Sequence, residues 1–163
     1  GLLRDSNADP SGTSVFQTSA LLVGEHIISV TATDPDGNTT VEQVDIRIND
    51  LPDAPTLSYS PSPVYSLDDV VITASGSTDL EGDPISYVYT WYRNGNIDLA
   101  YTTDTLPSAA TTRGETWRVD VAATDGYGEG DVSSLTVVIE NTPPQVAAAV
   151  LSPTTAFETT SLQ

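Results

Sequence analysis

Two segments of this chain are copies of one another. Residues 24–50 read GEHIISVTATDPDGNTTVEQVDIRIND, and residues 114–141 read GETWRVDVAATDGYGEGDVSSLTVVIEN. Gly24-Glu25 falls on Gly114-Glu115, Ala32-Thr33-Asp34 on Ala123-Thr124-Asp125, and Ile46-Arg47-Ile48 on Val137-Val138-Ile139. The offset is about 90 residues, the size of one small β-sandwich domain. A unit that recurs at this period is expected to stack on its neighbours. Function is then expected in the array and its junctions rather than in one catalytic pocket.

The copied segments alternate apolar and polar residues. Ile28, Val30 and Ala32 alternate with Ser29, Thr31 and Thr33, and Val44, Ile46 and Ile48 with Asp45 and Arg47. The second copy repeats the pattern in Val119, Val121 and Ala123, then in Leu135, Val137 and Ile139. A period of two predicts half-buried strands. Val70, Ile72 and Ala74 mark another strand, and Ile85 to Trp91 a long aromatic one, closed by the turn Arg93-Asn94-Gly95-Asn96. No segment carries a helical period. The predicted fold is all-β: tandem immunoglobulin-like sandwich repeats of Greek-key type with about seven strands each. In immunoglobulin lettering, the complete repeat places strand A near 55–60, B at 70–75, C at 85–92, C′ or D near 97–103, E at 105–110, F at 117–124 and G at 133–140.

Proline sets the boundaries. Asn49-Asp50-Leu51-Pro52-Asp53-Ala54-Pro55 and Asn141-Thr142-Pro143-Pro144 stand one period apart. Proline cannot donate to a sheet ladder, so such clusters stop strands and stiffen connectors. Three segments are expected: 1–51, the E-F-G end of a repeat; 52–141, a complete repeat; and 142–163, the A-B start of another. The two partial segments read either as a window on a longer array or as ends completed by another subunit through strand addition.

Charge narrows the partners. All five cations are Arg, and 23 acids leave a net charge of −18. Such a surface argues against nucleic acid as a ligand. With no Cys, disulfides and thiolate metal sites are excluded. No stretch approaches the roughly 20 apolar residues of a membrane span. Excess acid also suits a merely solvated surface, and that reading stays open.

TATDPDG at 31–37 and AATDGYG at 122–128 resemble the end of strand F in cadherin-like and PKD-like repeats. STDLEGDPISYVYTWYRNG at 77–95 resembles the B–C segment of tandem repeats in large bacterial and archaeal surface proteins, and INDLPDAP at 48–55 is similar to a cadherin-type linker. The resemblance implies an extracellular, cell-surface, prokaryotic protein that is elongated, adhesive or structural, and often stiffened by calcium.

Calcium takes six to eight oxygen ligands, several of them carboxylates. In a sandwich, the incoming linker, the B–C loop and the F–G loop meet at one end. That end gathers Asn49, Asp50 and Asp53 from the linker, Asp79, Glu81 and Asp83 from the B–C loop, and Asp125 after strand F. Glu25, at the E–F turn of the preceding repeat, faces the same junction. Calcium is therefore the expected cofactor. The opposing reading is that Gly, Asp and Pro are simply good loop formers. Asn38-Thr39-Thr40 is a glycosylation sequon.

Trp91 and Trp117 are expected in the core, and Tyr92, Tyr101 and Tyr127 on the surface as candidates for glycan contact. One His and no Cys rule out thiol catalysis and multi-histidine metal sites. Gly126-Tyr127-Gly128-Glu129-Gly130 has the glycines of a phosphate loop, but it lies between strands and reads as a flexible hairpin. The expected function is that of a stalk, adhesin shaft or filament, with no enzymatic role. Its partners would be neighbouring repeats or other copies in a fibre, and surface glycans or proteins. A carbohydrate-binding module appended to a secreted enzyme is the alternative.

Overall fold

The computed structural model describes residues 18–150 and Thr155. Ten strands run through them: β1 (Gly24–Thr33), β2 (Thr39–Ile48), β3 (Thr56–Ser60), β4 (Val64–Tyr65), β5 (Val70–Ser75), β6 (Ser86–Arg93), β7 (Asn96–Asp98), β8 (Thr105–Leu106), β9 (Thr116–Thr124) and β10 (Glu129–Glu140). Among the described residues there is one 3-10 turn, Ser108–Ala110, no α-helix, and no helix long and apolar enough to cross a membrane. The strands form a β1-β2 pair, a five-stranded sheet in the order β4-β10-β9-β6-β7 and a three-stranded sheet in the order β3-β5-β8. The last two sheets, drawn from one continuous stretch of chain, are consistent with a β-sandwich.

The chain divides into two compact units. One comprises Ser58–Thr73, Thr90–Val119 and the chain from Leu135 onward. Its core holds Val64, Val70, Ile72, Trp91, Leu106, Trp117, Val119, Val137 and Ile139, all buried. Trp91 meets Trp117 edge to face, with ring centroids 6.3 Å apart, and Tyr101 meets Trp117 the same way at 5.9 Å. Both indoles bury their one donor with a partner. Trp91 Nε1 donates to the Thr103 carbonyl at 2.9 Å, and Trp117 Nε1 to Glu115 Oε2 at 3.1 Å. Glu115 also takes a two-pronged Arg93, through Nε at 2.9 Å and Nη2 at 2.5 Å. The β6–β7 hairpin turns on Asn94 and Gly95, both at positive φ, with Arg93 opposite Asn96. This is the two-residue geometry that Asn-Gly favours.

The other unit comprises the chain up to Leu57, Ala74–Tyr89 and Asp120–Ser134. Here β1 and β2 pair antiparallel from Gly24↔Ile48 to Thr33↔Thr39. The turn between them is built on Asp34, whose Oδ1 accepts the amides of Asp36 (3.0 Å) and Asn38 (2.8 Å). The Asn38 side-chain amide donates to Asp34 Oδ2 at 2.7 Å, so the sequon asparagine belongs to this turn. Asp125 holds the β9–β10 turn in the same way, accepting Tyr127 N at 2.7 Å and Gly128 N at 2.9 Å. The copies thus share their turn chemistry, but their burial differs. Val121 and Ala123 are fully buried, whereas their counterparts Val30 and Ala32 are exposed.

Several expectations need adjusting. The strand expected at 105–110 is two residues long and gives way to the 3-10 turn, and the one near 97–103 ends at Asp98. The short β4, which pairs parallel with β10, was not foreseen. Tyr101 is half-buried against Trp117 rather than free on the surface. No strand forms over 18–23 or over 142–150. The rest of the strand-E region expected at the start of the chain (1–17), and of the A-B segment (151–163, Thr155 aside), lies outside the described residues.

Candidate metal centre

Three pieces of chain come together in the unit that contains the β1–β2 hairpin: the end of β2 with its linker, the loop between β5 and β6, and the β9–β10 turn. The loop is organised by Asp79, whose Oδ1 accepts the amides of Glu81 at 3.0 Å and Asp83 at 2.9 Å. Gly82, at φ +78°, supplies the left-handed step that lets the loop close on itself. The result presents the carboxylates of Asp79, Glu81 and Asp83 in half-buried positions. Asp125 is buried at the neighbouring turn. Asp79, Asp83 and Asp125 each bring a carboxylate oxygen to within 4.8 Å of the other two.

The linker closes over this group. Asn49 donates its side-chain amide to Asp125 Oδ2 at 2.7 Å and to the Asp50 carbonyl at 2.5 Å. Asp50 donates its backbone N–H to Glu81 Oε1 at 3.2 Å. Linker and hairpin turn are in close contact: a Cβ on Gly130 would stand 1.9 Å from the Pro52 carbonyl oxygen, and one on Gly128 2.6 Å from Leu51 Cδ2. Two of the three glycines of the expected 126–130 hairpin, Gly128 and Gly130, make room for the linker, whereas a Cβ on Gly126 would meet nothing within 4 Å.

Arg47 adds a cation. Its guanidinium pairs with Asp83, donates to Tyr127 Oη at 3.2 Å, lies 4.4 Å from the Tyr127 ring centroid, and stands 3.7 Å from Glu25. Burial pulls the Arg47 pKa down, but the charge of Asp83 and its other partners outweighs this and raises it above its ordinary value. Asp125 moves the other way. The amide of Asn49 is the largest influence; burial opposes it, and the Gly128 and Tyr127 amides reinforce it. The carboxyl is held below its ordinary 3.8.

Of the eight residues expected to form the centre, five converge: Asp79, Asp83 and Asp125 directly, with Asn49 and Glu81 joined to them through hydrogen bonds. The other three stand apart. Asp53 pairs with the loop's outer edge, accepting Thr78 Oγ1 at 2.6 Å. Asp50 is exposed and contributes its backbone. Glu25 is exposed and faces Arg47 across the hairpin. Arg47 was missed, although a signal existed. It stands next to the end of β2, two residues before Asn49 and the acidic linker.

Four carboxylates gather here, and only that of Asp83 pairs with the Arg47 guanidinium; the imbalance shows in the hydrogen bonding. Among the described residues, five buried side-chain polar atoms have no partner: Asn49 Oδ1, Asp79 Oδ2, Glu81 Oε2, Arg47 Nε and Ser77 Oγ. Three are oxygens of this constellation. A buried acceptor without a donor costs roughly 1–3 kcal/mol, and a cation would satisfy several at once. The available donors are carboxylate and amide oxygens, with no thiolate or imidazole. That is the donor set of a hard cation such as Ca²⁺. No protein-family model matches this chain, and no curated protein matches it.

Proposed function

We propose that this chain is a length of an extracellular adhesive or structural array built from immunoglobulin-like repeats, in which a calcium ion stiffens the junction ahead of the complete repeat. The strand orders support the repeat reading. β3-β5-β8 correspond to A-B-E, and β4-β10-β9-β6-β7 to A′-G-F-C-C′, the partition expected of that sandwich. The observation that carries the junction reading is the trio of buried oxygens without donors on Asn49, Asp79 and Glu81, beside the Asp79–Asp83–Asp125 group. Asn49, Asp79, Glu81, Asp83 and Asp125 would hold the ion. Its charge would cancel their mutual repulsion and fasten the linker to the loops it passes. The array would transmit load along its length, and copies of the repeat would set its reach.

Thermal unfolding of the whole chain in calcium and in chelator tests the junction. Saturating Ca²⁺ is expected to raise Tm by at least about 5 °C, because an ion that binds only the folded state stabilises it by mass action. Equal melting in both conditions, with no calorimetric heat of binding, would remove calcium from the reading. Electron microscopy of native material tests the array, for which a filament or shaft with an axial repeat of roughly 4 nm is expected.

A further inference from the structure

We infer that Arg47 is a resident counter-cation that competes with the divalent ion for Asp83, so that the centre alternates between an arginine-bound and a metal-bound state. The inference rests on the calcium reading above and adds how that site is regulated. Asp83 is the residue the two states share. Its carboxylate pairs with the Arg47 guanidinium, and it also belongs to the group whose oxygens lie within 4.8 Å of each other. A divalent ion received by that group would sit within a few ångströms of a guanidinium. Like charges at that range, in a partly buried place, repel strongly.

Arg47 is held firmly enough to compete and loosely enough to leave. Asp83 and the Tyr127 ring grip the end of the side chain. Its Nε is buried without an acceptor, however, so the bound arrangement leaves one donor unsatisfied. The Arg47 side chain is not wholly enclosed, being 22% exposed. Glu25, exposed beside it, offers a second carboxylate to move toward. Asn49 remains at the centre in either state, because its place depends on Asp125 rather than on Asp83.

The consequence is a centre that is partly neutralised when cations are scarce and takes up a divalent ion only against the arginine. Affinity is thereby weakened toward the range of roughly 10⁻⁴–10⁻³ M typical of extracellular calcium modules. An open acidic loop without the arginine would bind more tightly.

Calorimetric titration of CaCl₂ into the wild-type chain, Arg47→Met and Asp125→Asn decides the matter. Methionine keeps the aliphatic stem and removes the charge, and asparagine keeps the acceptor that Asp125 gives its turn. Arg47→Met is expected to tighten calcium binding about tenfold, and Asp125→Asn to weaken it. If the wild type binds, Asp125→Asn loses affinity and Arg47→Met is unchanged or weaker, the competition is refuted while the calcium reading survives. If the wild type takes up no calcium, both fall. A measurement on the wild type alone covers the case in which Arg47→Met does not fold. The Arg47 Nε–Hε resonance is expected to shift on saturation with calcium, and a resonance that stays fixed at saturation overturns the competition.

Discussion

Gly130 lies so close to Pro52 that a Cβ added to it would stand 1.9 Å from the Pro52 carbonyl oxygen. The obstacle is backbone, which cannot turn aside as a side chain can. Gly130→Ala is therefore expected to push the linker off the β9–β10 turn and to destabilise the chain by about 1–3 kcal/mol. Gly128→Ala meets only the tip of Leu51, which can rotate away, and should cost less. Urea unfolding of the two variants side by side checks the order. Equal costs would mean that the linker does not pack against Gly130.

The two copies of the repeated segment should respond differently to the same change. Val121 is fully buried and its counterpart Val30 is 63% exposed. Val121→Thr buries a hydroxyl in an apolar setting and should cost about 1–3 kcal/mol. Val30→Thr should stay within about 0.5 kcal/mol. Chemical denaturation of both variants measures the contrast. A large loss from Val30→Thr would show that the first hairpin has a covered face.

Glu115 predicts a pH dependence. Burial pushes its carboxyl up, but hydrogen bonds from Arg93, the Thr112 amide and Trp117 outweigh that and hold it below the ordinary 4.5. A carboxyl depressed by folding adds stability that is fully present above its unfolded value and is lost as pH falls through its folded value. Between neutral pH and pH 5 this contribution should be flat. Below about 4.5 it should decline. Glu115→Gln should be less stable than the wild type at pH 7 and should close the gap on acidification. Urea midpoints across pH 7 to 3 test it, and parallel curves would count against the assignment.

Asn49 ties the linker to Asp125. In chelator, Asn49→Leu leaves the Asp125 carboxylate without its strongest donor and should lower Tm by several degrees. The same variant should also raise the Asp125 pKa toward 3.8, since the Asn49 amide is the main cause of its depression. A carboxyl-carbon NMR titration reads that shift directly.

Much of this architecture was legible along the chain, because strand alternation and turn geometry are local. Period-two patterns marked the strands, Asn94-Gly95 marked its hairpin, and Asp34 and Asp125, at matching positions, build the same turn. These follow from φ/ψ preferences and from side chains bonding to their own neighbours, which a short window of sequence contains. What the repeat could not say is that only one of those aspartates is buried. That depends on which distant segment covers the turn.

Tertiary structure alone decided which acids share a place. Asp53 and Asp50 are carboxylates like Asp83 and lie close to Asn49 in sequence, yet Thr78 takes the first and the second is exposed. Asn49 reaches Asp125 across 76 residues, and Arg47 reaches Asp83 across 36. Composition announced a strongly acidic chain with few cations. Which carboxylate receives the guanidinium, and which buried oxygens are left without a donor, are set by the approach of segments remote in sequence. Electrostatic and hydrogen-bond energies depend on distances of a few ångströms, and no spacing along the chain encodes those.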